Sequence, residues 1–109
     1  MSSAFAVAFY GARYPVAYDE LEELETREDQ RLHRAQRDGL EAFWARFGDD
    51  QTYFLFVGKK LSLMNVENDL TTVYSRRELE THMDEVDAQL FAGDWKGKVG
   101  LYLQWGEDT

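Results

Sequence analysis

The sequence predicts an α+β fold, two helices laid over an antiparallel sheet in two layers, and three observations carry that prediction. Residues 4–10, "AFAVAFY", alternate with a period of two. Residues 19–47 repeat leucine, alanine and phenylalanine at helical spacing. Residues 74–79, "YSRREL", carry the signature of a helix start.

In the first strand Phe5, Val7 and Phe9 face a core, while Ala4, Ala6 and Ala8 keep the other side thin. That thin side suits a second layer or another subunit, or is an ordinary half-wet sheet face. Gly11 and Pro15 in "GARYPV" are expected to end the strand. A helix is expected over 19–47, with Leu21, Leu24, Leu32, Ala35, Leu40, Phe43 and Phe47 in one stripe. Gly39 is the place for a bend or break, and Gly48 is the expected left-handed cap.

"TYFLFV" (52–57) and "LSLMNV" (61–66) read as a hairpin around Gly58, Lys59 and Lys60. "END" then turns into a third run at 70–74, making a meander. From Ser75 a second helix follows, because Glu78 completes a capping box and Tyr74 can staple on Leu79. Leu79, Met83, Val86 and Leu90 form its apolar stripe, and Gly93 ends it. The last strand, 98–105, sets Val99, Leu101, Leu103 and Trp105 on one face. The order β-α-β-β-β-α-β suggests a ferredoxin-like or related two-layer sandwich with one extra strand, or with a long bent hairpin in its place.

At 109 residues the chain is expected to be one domain, and its 44% hydrophobic residues can build a core without staples. The absence of cysteine removes disulfides, thiolate zinc sites and cysteine nucleophiles, and fits a reducing cytoplasm. No stretch approaches a membrane span. A formal charge of −9 opposes direct contact with nucleic acid or an anionic membrane and favours a basic protein partner.

Few constellations carry chemistry. Glu78, His82 and Glu85 share one helix sector that could hold a divalent metal, but helix surfaces of acidic proteins produce this spacing by chance, so no metal and no cofactor is expected. Asp29 and His33, four apart, read as a surface ion pair. No Gly-rich phosphate loop and no nucleophile elbow is present. Phe54, Phe56, Tyr102 and Trp105 could form a base-stacking platform, but core packing suits an acidic chain better. Lys59, Lys60, Lys96 and Lys98 fall at strand ends and could form a small positive edge.

The densest feature is "DELEELETREDQRLHR", 19–34. It reads as a solvated helix face or as an acidic surface for a basic partner. The expected partner-binding residues are Glu20, Glu22, Glu23, Glu25 and Asp29, with Glu80, Asp84, Glu85 and Asp87 on the second helix. In size, acidity and lack of cysteine the chain is similar to phage-encoded inhibitors of bacterial defence and to bacterial toxin-immunity proteins. That likeness implies a non-enzymatic, cytoplasmic protein, monomer or homodimer, that blocks a basic partner, nucleic-acid-binding proteins included. The rival expectation is a dimeric small-molecule enzyme or binding protein, with Tyr10, Arg13, Tyr14 and His82 around a pocket between sheet and helices. A third is a structural or assembly subunit.

Overall fold

The computed structural model describes residues 3–47, 52–65 and 72–108. Along the chain they form β1 (Ser3–Val16), α1 (Tyr18–Glu25), α2 (Gln30–Arg37), β2 (Glu41–Phe47), β3 (Thr52–Asn65), α3 (Arg76–Ala92) and β4 (Val99–Asp108). The fold is α+β, with the four strands antiparallel in the neighbour order β4, β1, β3, β2. The sheet closes into a barrel because β2 also meets β4, through Arg46 opposite Glu107 and Phe47 opposite Gly106.

β1 runs through Gly11 and Pro15 instead of ending there. Gly11 lies opposite Gly58. A Cβ on Gly11 would sit 2.8 Å from Gly58 Cα, and one on Gly58 would sit 2.7 Å from Gly11 Cα. With no side chain at the crossing, β1 and β3 approach closely and can coil around each other. Beyond Ala12, β1 pairs with β3 alone, the edge setting in which Pro15 is tolerated.

The same crossing corrects the expected meander. Gly58, Lys59 and Lys60 are not a hairpin loop; residues 52–65 are one long strand. Phe9 faces Lys60 while Ala8 faces Ser62, so Leu61 is the extra residue of a bulge. Residues 72–74 carry no sheet pairing, and residues 66–71, with the expected "END" turn, lie outside the described residues. The element order is therefore β-α-α-β-β-α-β, not β-α-β-β-β-α-β.

The expected helix over 19–47 also divides. α1 stops at Glu25, Arg27 turns left-handed at φ 62°, and the N–H groups of Glu28 and Asp29 return to the Glu23 carbonyl. α2 restarts with Asp29 as its cap and ends at Arg37; Gly39, φ 73°, then turns the chain, and Leu40 N–H reaches the Ala35 carbonyl. The chain then extends as β2. Phe43, Ala45 and Phe47 pack on the barrel side and Ala42 and Trp44 on the helix side, so this strand is apolar on both faces. Gly48 lies outside the described residues.

α3 forms where its cap signal placed it: Ser75 Oγ accepts from Glu78 N–H at 3.1 Å, and Val86 and Leu90 are buried. Phe5, Val7, Phe9, Phe47 and Phe56 fill the barrel, the Phe47 and Phe56 rings meeting edge to face at 5.3 Å. A second core lies between the sheet and the helices, built on Leu24, Ala35, Leu55, Val57, Val86 and Leu90.

Candidate functional site

The helices cover only part of the outer sheet face. On β1, Tyr10, Tyr14 and Val16 lie in the helix-covered core, whereas Ala6 and Ala8 do not. Ala6 is flanked by Trp105 on β4 and Met64 on β3, and Ala8 by Leu103 and Ser62. Leu103 and Trp105 are 72% and 71% exposed, Leu101 48% and Met64 43%. The residues expected on one face of the last strand do share a face, and it is open. The alanines form a shallow trough beside a ridge of large apolar side chains.

The acidic residues divide by what they touch. Asp29 is buried: its Oδ1 accepts from Arg31 N–H at 2.8 Å and Arg31 Nε at 3.0 Å, and its Oδ2 from Arg31 Nη2 at 2.8 Å. The guanidinium holds the Asp29 carboxyl below the usual carboxylate range. Glu20 accepts from Ala17 N–H at 2.9 Å and from Arg31 Nη2 at 3.0 Å. Asp87 accepts from Tyr10 OH at 2.8 Å, and Glu80 pairs with Arg76. Asp29 and Glu20 tie α1 to α2 through Arg31, whereas the Glu80 and Asp87 contacts lie at the surface. Glu22, Glu23 and Glu25 on α1 and Asp84 and Glu85 on α3 are exposed and make no ion pair among the described residues.

The polar residues expected around one pocket are not brought together. Tyr10 and Tyr14 point to the helix side, and Arg13, between them in sequence, points into the barrel. There its guanidinium lies 4.2 Å from the Phe54 ring centre and 5.0 Å from that of Tyr102, donating to Gln104 Oε1 at 3.1 Å. His82 Nδ1 accepts from Lys59 Nζ at 3.0 Å, and its ring meets Tyr74 edge to face. The Tyr14 hydroxyl is buried without a hydrogen-bond partner among the described residues, and burial pushes it above the usual tyrosine range.

Among the described residues no group of three or more histidines or acids could hold a metal, so Glu78, His82 and Glu85 do not converge. Asp29 caps a helix instead of pairing with His33. Phe54, Phe56 and Tyr102 belong to the barrel core while Trp105 lies on the outer face, so no stacking platform forms. Of the lysines at the strand ends, Lys59 sits by His82, Lys60 lies 5.8 Å from the Phe43 ring centre and Lys96 pairs with Asp94. No described helix is long and apolar enough to cross a membrane.

Two cations of α2, Arg31 and Arg34, are committed to the fold. Arg34 donates to the Asp94 carbonyl at 3.0 Å and stacks 4.2 Å from the Trp95 ring centre, while Trp95 Nε1 donates to Asp38 Oδ2 at 2.9 Å. This latch joins α2 to the turn after α3. Sequence reasoning missed it because it depends on residues some sixty positions apart. The open face left a signal: alternate alanines in one strand and a run from 99 to 105 without a charge. No protein-family model, no curated protein and no solved structure matches the chain.

Proposed function

We propose that this chain is a non-enzymatic protein that binds and blocks a basic partner protein, in the manner of phage anti-defence inhibitors or toxin-immunity proteins. The observation that carries the reading is the set of exposed carboxylates with no cation of their own among the described residues: Glu22, Glu23 and Glu25 on α1, and Asp84 and Glu85 on α3. Most cations near the helices are engaged elsewhere: Arg31 with Glu20 and Asp29, Arg34 with backbone carbonyls, and Arg76 with Glu80. The surface charge is therefore free to meet an external cation, and steering by a field of this sign favours a basic target. The cytoplasm, the reducing compartment the cysteine-free sequence fits, is the proposed location.

The test is capture from lysate with the wild-type chain and with Glu22, Glu23, Glu25, Asp84 and Glu85 all changed to Lys. A basic protein held at low salt by the wild type, released by moderate salt and not held by the variant supports the reading. Equal retention by both, with both melting at the same temperature, overturns it.

The strand order β4, β1, β3, β2 with helical connections from β1 to β2 and from β3 to β4 supports placing the fold among ferredoxin-like arrangements. Its particular features are the closed barrel and the divided first connection.

A further inference from the structure

We propose that the bare outer face of the sheet is a self-association surface, and that its occupant is the same face of a second copy of this chain. The face is built for contact with another apolar surface. Ala6 and Ala8 make a trough, and Leu101, Leu103 and Trp105 make a ridge directly beside it. None of these residues, nor Ser62 and Met64 on the other flank, is charged, in a chain with 30% charged residues.

A twofold axis through this face is satisfied by its own shape. The ridge of one copy lies in the alanine trough of the other, and the reciprocal contact follows from the symmetry. Two sheets stacked this way keep the spacing of about 10 Å at which inner faces interdigitate. A heterologous stack, ridge on ridge, would leave both troughs empty.

The area is in proportion. At their fractional exposures Met64, Val99, Leu101, Leu103 and Trp105 offer on the order of 600 Å² of apolar surface, against about 800 Å² per partner in a standard interface. That is also the upper end of what a monomer leaves in one patch, about 300–600 Å². Pairing two such faces buries at most roughly 1,200 Å² in total, the lower bound of stable association. The dimer is therefore expected to be modest in affinity and to exchange with monomer on dilution.

The carboxylates proposed to hold a basic partner are not part of this contact, so the two readings fail separately. The experiment is sedimentation of the full chain over a concentration series, comparing wild type with Leu103→Lys and with Ala8→Lys. Leu103 is largely exposed, so its change leaves the fold intact. Ala8→Lys fills the trough, and a thermal melt of each variant confirms folding.

The expected result is reversible movement of the wild type from one 12.7 kDa chain to two at micromolar concentrations. Leu103→Lys should weaken that association at least about tenfold, because a lysine is rarely tolerated in a buried apolar contact. The five-lysine change on α1 and α3 should leave the dimer in place. A wild type that stays a single chain at about 100 μM, well above the micromolar range expected of a contact this size, would overturn the proposal. So would a Leu103→Lys variant that associates as tightly as the wild type.

Discussion

Asp29 and Arg31 are locked together by two side-chain hydrogen bonds of 2.8 and 3.0 Å, and the same carboxylate caps α2 through the Arg31 N–H. One buried side chain thus starts a helix, neutralises a cation and, through Arg31, ties α1 to α2 at Glu20. Removing it leaves the partly buried guanidinium and the helix N-terminus both short of an acceptor.

Asp29→Ala should cost about 3 kcal/mol, the combined scale of a lost N-cap and a broken buried pair. Asp29→Asn keeps a capping oxygen and should cost less. Because the folded carboxyl titrates below the ordinary aspartate value of 3.8, its stabilisation is complete above about pH 4. It is lost as pH falls through the lower folded value. Urea midpoints measured from pH 2 to 6 should fall steeply at the acid end for the wild type and less so for Asp29→Asn; parallel curves would refute this role.

The crossing of β1 and β3 makes a second prediction. Gly11→Ala or Gly58→Ala should each destabilise by more than about 3 kcal/mol, since the new Cβ meets opposing backbone that cannot move aside. Gly100 lies opposite Gly11 on β4, yet a Cβ there has nothing within 4 Å. Gly100→Ala should therefore stay within about 0.5 kcal/mol of wild type. Chemical denaturation of the three variants decides it, and similar losses at all three positions would rule out the close crossing.

Tyr10 makes a third. Its hydroxyl is pushed up to about 12, first by burial and then by the Asp87 carboxylate that accepts its hydrogen bond. The phenolate absorbance missing from Tyr10→Phe should thus appear near pH 12, above the ordinary value of 10. A raised folded value means that the stabilisation is full below pH 10 and is lost as pH rises through 12. Asp87→Asn should lower the midpoint only in part, because the burial of the hydroxyl remains. An unchanged midpoint in that variant would show that Asp87 is not the partner in solution.

The legible parts of the fold were those set by neighbours in sequence. Ser75, Glu78 and Gly93 bound α3 through contacts within a turn, and alternation alone marks Phe5, Val7 and Phe9 as core. The long first helix failed because Phe43 and Phe47, four apart, satisfy a helical stripe and a strand face equally well, and β2 is apolar on both sides. Gly58 reads as a turn until Gly11 is seen opposite it, and that pairing spans forty-seven positions. The same boundary error hid Asp29: an acidic residue inside an expected helix looks solvated, whereas at the start of α2 it is a cap. For the site, alternation sets Leu101, Leu103 and Trp105 on a common face, but which side the helices cover depends on how far α3 reaches along β1.

The pairing of β1 also sets the order in which this molecule can be assembled. Its nearest sheet partner along the chain is Tyr53, opposite Val16, and its farthest is Asp108, opposite Ser3. During synthesis the first strand emerges with nothing to bond to until β3 has followed, and its other edge waits for β4. Contacts of such long range slow folding, because chain entropy is lost before they form. Until then the "AFAVAFY" segment is an apolar, uncharged strand with both edges bare, which makes a nascent or partly unfolded chain the form most in need of a chaperone.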